Sequence, residues 1–121
     1  MLKHAHREFP SDAFVVLATV GARLDIVDGQ GAELRVDLEQ FLRTDMNGRI
    51  VTGVEFPALS SDHVVRTFKV MPRSSNAHAY VNAGFCARVD RGHAHRIVDT
   101  PTIVFGGISS SFVRPHLPFL I

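Results

Sequence analysis

Two short stretches of this chain place chemically capable side chains where packing alone would not call for them. The first is "FPSD", Phe9 to Asp12, in which Ser11 and Asp12 stand directly ahead of the apolar run "AFVVLATV". The second is "FKVMPRSSNAHAYVNAGF", Phe68 to Phe85, which mixes a strand-like apolar pattern with a lysine, an arginine, two asparagines and a histidine. Lys69, flanked by Phe68 and Val70, alternates onto the face opposite both of them. A partly buried ammonium there needs an anionic or strongly accepting partner. The plainer reading of such a lysine is a surface cation paired with a nearby carboxylate.

The other candidates are weaker. His4 with His6 and His93 with His95 have the spacing that, on a strand, turns two imidazoles the same way, so each pair could offer two ligands to zinc or copper. Neither has a nearby cysteine or spaced carboxylate to supply a third ligand, and tetrahedral sites are not built from two groups. Cys86 with His78 suggests a thiol nucleophile, yet Cys86 falls in mid-strand with no helix N-terminus or fixed base beside it, which reads as an inert cysteine. Ser109, Ser110 and Ser111 follow a Gly pair without the Gly-x-Ser-x-Gly elbow that exposes a nucleophile. The chain has no Gly-rich phosphate loop of the dinucleotide or P-loop type.

The elements that must carry these groups follow from pattern. Asp12 is a suitable N-cap for a helix of about two turns that Gly21 can stop. "ARLDIVD" and "AELRVDL" alternate on either side of the turn "GQG" and form a β-hairpin, with Ala22, Leu24 and Ile26 on one face. A short helix around Glu39 to Arg43 leads through the turn Asn47–Gly48 into a strand from Arg49 to Phe56, closed by Pro57. The polar stretch "ALSSD" is the expected subdomain boundary. Beyond it "HVVRTFKVMP", "YVNAGFCARVD" and "RIVDTPTIVFGGI" read as three strands. In the second of them Val81, Ala83, Phe85, Ala87 and Val89 share one face and Asn82, Cys86, Arg88 and Asp90 the other. The class is α+β, antiparallel β-hairpins with short helices.

The totals bound what this fold can do. At 121 residues the chain makes one domain or two small subdomains sharing a core. Lys and Arg number 13 against 12 Asp and Glu, a net charge of +1 that argues against a nucleic-acid partner. One cysteine allows no internal disulfide, which fits a reducing, cytoplasmic setting. "MLKHAHREF" has no apolar core of a signal peptide behind it, and "AFVVLATV" is too short to cross a bilayer, so no membrane partner is expected. The tail "RPHLPFLI" ends on bare apolar residues, so either it tucks back onto the core or the chain is a piece of something longer.

Four stretches, "LKHAHREFPSD", "GRIVTGVEFP", "FKVMPRSSNAHAYVNAGF" and "FGGISSSFVRP", come in an order and at a spacing that resemble the flavin-binding segment of the aldehyde oxidase and xanthine dehydrogenase family of molybdo-flavoenzymes. The likeness is greatest to insect-type aldehyde oxidases. It implies that residues 1–60 are the C-terminal part of a PCMH-type FAD-binding domain. Residues 61–121 would open a small three-stranded antiparallel subdomain like the C-terminal part of the CO dehydrogenase flavoprotein. It also implies FAD contacts at Asp12 with Ser11, at Val51 against the flavin, and at Lys69 near the ring, where a cation stabilises the charge gained on reduction. The polar groups of "FKVMPRSSNAHAYVNAGF" would then serve the seam between flavin and subdomain, with Asn76 and Asn82 suited to turn and loop carbonyls.

The same likeness places the family's Gly-rich pyrophosphate cradle upstream of Met1, and the molybdopterin and two 2Fe-2S clusters in other parts of the parent enzyme, a homodimer. The parent would pass electrons from molybdenum through the clusters to FAD and on to oxygen or NAD. A non-catalytic module, a truncated or duplicated remnant acting only in structure or interaction, is the alternative.

Overall fold

Ser11 opens the first element of the computed structural model, which describes residues 11–75, 77–92 and 96–115. The two His-x-His pairs, Asn76 and the terminal "HLPFLI" lie outside the described residues. Helix α1 spans Asp12–Thr19. Its cap is Ser11, whose Oγ accepts the Phe14 backbone N–H at 3.2 Å, and not Asp12 as the sequence suggested. A buried hydroxyl satisfies a free amide of the first turn as well as a carboxylate does. Asp12, one residue on, is drawn to partners outside its own helix. At the far end Gly21, at φ 73°, lets the Gly21 and Ala22 amides reach back to the Ala18 and Leu17 carbonyls, a Schellman closure.

The chain then enters strand β1, Arg23–Asp28, and returns along β2, Glu33–Asp37. Asp28 Oδ1 accepts the backbone N–H groups of Gln30 and Ala32, both at 2.9 Å, and Gly31 takes φ 82° to complete the turn. Helix α2, Leu38–Arg43, starts from a capping box in which Asp37 and Gln40 exchange side-chain-to-backbone bonds of 2.7 and 3.1 Å. Strand β3, Arg49–Glu55, pairs antiparallel with β1, giving the order β2-β1-β3 with a bulge between Asp25 and Ile26. One face carries Leu24, Ile26 and Val36 into the core with Phe14, Leu38 and Phe41. The other face is charged: Arg35 reaches Asp25 at 2.6 Å and Glu55 at 3.0 Å, linking all three strands.

The second sheet is built from β4, His63–Val70, β5, Val81–Asp90, and β7, Thr102–Gly106, all antiparallel with β5 in the centre. The expected third strand is split. Only β6, Arg96–Ile97, pairs with the end of β5, and the chain then passes Pro101 before β7 pairs with Asn82–Cys86. Proline has no N–H to give a ladder, which is why one continuous strand does not form. Three full strands and one two-residue strand are therefore what the α+β expectation becomes.

Residues paired in register share a face, so Lys69, Asn82 and Gly106 lie in one row and Thr67, Gly84 and Val104 in the next. Helix α1 packs on this face. It sits so close over Gly84 that a Cβ there would overlap the Thr19 hydroxyl and come within 2.9 Å of Thr19 Cβ. The opposite face bears Phe68, Phe85 and Phe105 in edge-to-face contact, with ring centroids 5.7 and 6.0 Å apart. Past β7 the chain bridges Phe105 to Val113, and Phe112 stacks on Phe14 at 4.0 Å. No helix among the described residues is long and apolar enough to cross a membrane.

Candidate functional site: a carboxylate and an ammonium at the helix–sheet junction

Three elements distant in sequence meet at the start of α1. Ser11 fixes where the helix begins, and so fixes where the Asp12 side chain leaves it. Beneath it, β4 presents Lys69 and β5 presents Asn82 as register partners on the helix-facing side. Lys69 Nζ donates to Asp12 Oδ2 at 2.6 Å and Asn82 Nδ2 donates to Asp12 Oδ1 at 2.8 Å. Each carboxylate oxygen thus takes one donor from a different strand.

The electrostatics favour an ionised Asp12. Burial pushes its carboxyl up, but hydrogen bonds from Lys69 and Asn82, then the charges of Lys69 and His78, outweigh that and hold it below its ordinary value. Its place in the first turn of a helix adds to this in sign. The trio borders an open cleft of about 210 Å³ whose walls include Val16, Thr67 and Phe68. An acceptor beside a donor at the rim of a partly apolar cleft can orient a flat polar molecule by its edge.

Of the residues singled out from sequence, Ser11, Asp12 and Lys69 come together here, Ser11 through its cap. Val51 does not line this cleft: it lies on the other sheet, opposite Ile26 in β1, and is 40% exposed. The structure adds Asn82, which the sequence suits to turn and loop carbonyls and whose amide here donates to the Asp12 carboxylate. The signal for it was present, since Asn82 sits on the polar side of a cleanly alternating strand, but no sequence pattern says that this strand runs beside the one bearing Lys69.

Cys86 is partly buried, and burial, then the Asp99 charge, pushes its thiol up, in keeping with an inert strand cysteine. Among the described residues no group of three or more His, Cys, Asp or Glu side chains gathers to hold a metal.

Residues 66–117 match the CO dehydrogenase flavoprotein C-terminal domain. The chain is 32% identical over 100 residues to abscisic-aldehyde oxidase of Arabidopsis thaliana, an alignment that covers 74% of this chain and 7% of that protein. It therefore spans a small part of the curated relative. In fold it is similar to carbon monoxide dehydrogenase from Hydrogenophaga pseudoflava lacking the Mo-pyranopterin moiety, with a TM-score of 0.74 at 15% identity, over 93% of this chain and 39% of that one. Quinoline 2-oxidoreductase from Pseudomonas putida 86 gives a TM-score of 0.72 at 22% identity, over 91% of this chain and 38% of that one. Family match, aldehyde-oxidase likeness and shared fold agree with the resemblance read from the sequence, and the chain belongs to the molybdo-flavoenzyme family, corresponding to part of its flavoprotein region.

Proposed function

We propose that the cleft at Asp12, Lys69 and Asn82 receives the polar edge of the FAD ring system, in an oxidoreductase of the aldehyde oxidase or xanthine dehydrogenase type. The observation that carries this is the 2.6 Å contact between Lys69 and Asp12, groups 57 positions apart that meet at the rim of a cleft. The donor set fits: a flavin's pyrimidine edge offers imide N–H and carbonyl groups, the complement of a carboxylate beside an ammonium. Lys69 retains two N–H donors after serving Asp12, and Asp12 retains acceptor capacity on both oxygens. A cleft of about 210 Å³ suits an edge of the ring and not a whole dinucleotide, so the remaining contacts belong to other parts of the enzyme.

When bound, FAD supplies the capacity to take electrons from iron-sulfur clusters fed by a molybdenum centre and to hand them to oxygen or NAD. The chain's own part is to orient and to set charge. Lys69 favours added negative charge on the ring, while Asp12 fixes the ammonium and tempers its field. Val51, on the half-exposed edge of the first sheet, is the second expected contact. Residues 1–60 then belong to the FAD-binding domain and 61–121 to the following subdomain. Molybdopterin and two 2Fe-2S clusters are held by the parent's remaining domains, in a cytoplasmic homodimer.

A second reading is favoured by the exposure of Phe68, Val70 and Phe56 at 60–61% each: a non-catalytic module that acts through association. Titrating the 121-residue chain into FAD and following the flavin fluorescence separates the two. Saturable quenching that Lys69→Ala weakens supports the flavin site, and self-association of the chain that Phe68→Ser abolishes, with no quenching at high FAD, supports the module.

A further inference from the structure

Exposed ion pairs contribute little because water competes for both partners and two flexible side chains must be held still. Lys69 and Asp12 are such groups, with side chains 29% and 48% exposed. Asn82 is not: it is 3% exposed and is seated in the centre of the second sheet between Lys69 and Gly106, the latter placing no side chain beside it. Its amide meets Asp12 Oδ1 at 2.8 Å while the lysine takes Oδ2. A carboxylate gripped on one oxygen rotates freely; gripped on both from adjacent strands, it presents a fixed plane.

We infer that Asn82 is a positioning residue for this site, locking the Asp12 carboxylate so that it and Lys69 form a single rigid acceptor–donor edge for the ligand. This rests on the flavin reading for the identity of the ligand, and on the geometry alone for the locking. Asn82 acts through Asp12 and touches no reacting atom. Among the described residues the charge of His78 also acts on Asp12, so without the amide Lys69 and His78 remain its electrostatic partners there. A hydrogen bond to a charged group is worth enough that its loss weakens a ligand oriented by that group about tenfold.

The test follows side-chain resonances of the full chain by NMR across acid pH, together with flavin titration. In the wild type the Asn82 side-chain amide signals should move with the midpoint of the Asp12 carboxyl. In Asn82→Ala that midpoint should rise, and it should rise further in Asn82→Asp, which keeps the shape but replaces the donor by a second carboxylate. The dissociation constant for FAD should increase about tenfold in Asn82→Ala with a matching change in its pH profile. Should either variant fail to fold, the wild-type amide signals decide the matter. Asn82 signals indifferent to Asp12 titration, or an Asn82→Ala chain whose Asp12 midpoint is unchanged, would overturn the inference. A wild-type chain that binds no FAD would defeat the flavin reading and leave the locking to be judged by the resonances.

Discussion

The two sheets solve the same problem in different ways. In β2-β1-β3 the strand β1 sends Leu24 and Ile26 fully into the core on one face, while on the other Asp25 pairs in solvent with Arg35 of β2, which also reaches Glu55 of β3. Its core closes with residues of α1 and α2. The sheet of β4, β5 and β7 divides its faces differently. Its helix-facing side carries Lys69, Asn82 and Gly84, and its other side carries aromatic rings, of which Phe68 is 61% exposed. It borrows its cover from α1, the helix that also completes the first core. One region is organised by burial and the other by a shared helix and a polar contact, and the candidate site lies where the borrowed helix begins.

The largest test of that contrast is Phe14→Ala, since Phe14 belongs to the first core and stacks on Phe112. It should destabilise the chain by about 3–5 kcal/mol in urea melts, whereas Phe68→Ala on the open face, which loses only an edge contact with Phe85, should cost about 1 kcal/mol. Equal effects would mean the two regions are not built differently. Gly84→Ala comes next: a methyl group thrust against Thr19 should cost about 1–3 kcal/mol. Hydrogen exchange should then accelerate in β5 and β7 before β1 and β2, and uniform acceleration would show one cooperative unit.

Acid titration divides the regions by their carboxylates. Asp12 and Asp28 both lie below their ordinary values when folded, Asp28 through backbone bonds from Ala32 and Gln30. For such groups the unfolded chain binds protons more readily, so their stabilisation is complete above the unfolded midpoint, about 3.9, and is lost as pH falls through the folded one. Asp12→Asn should remove the part of the acid transition felt by β4 and β5, and Asp28→Asn the part felt by the hairpin. A shared response at both places would join what the packing separates. Smallest of all, Arg35→Ala should shift the urea midpoint only slightly, and less still in high salt, because its partners are solvent-exposed.

The first sheet was the more legible from sequence for the same reason that it is the better buried. Alternation in "RLDIVD" and "ELRVD" and the turn glycines are local and agree with the fold, whereas the helix cap falls on Ser11, one residue before the Asp12 that the pattern points to. The split at Pro101 was also written locally, although the apolar residues on both sides of it read as one strand. Within the site, Lys69 and Asp12 were identified by likeness to a family, and alternation gave the face Lys69 occupies. Asn82 could not be recognised from its neighbours, because what defines its role is a register across two strands and a helix about 70 positions away.

The order of two adjacent residues, Ser11 then Asp12, has a consequence for anyone who would transplant or redesign this site. One of them anchors the thread of the helix and the next is the tooth that engages the sheet, so their phase is fixed by covalent adjacency. A single residue spliced between them would turn the carboxylate by about 100° around the axis and disengage it, while leaving composition and helical content almost untouched.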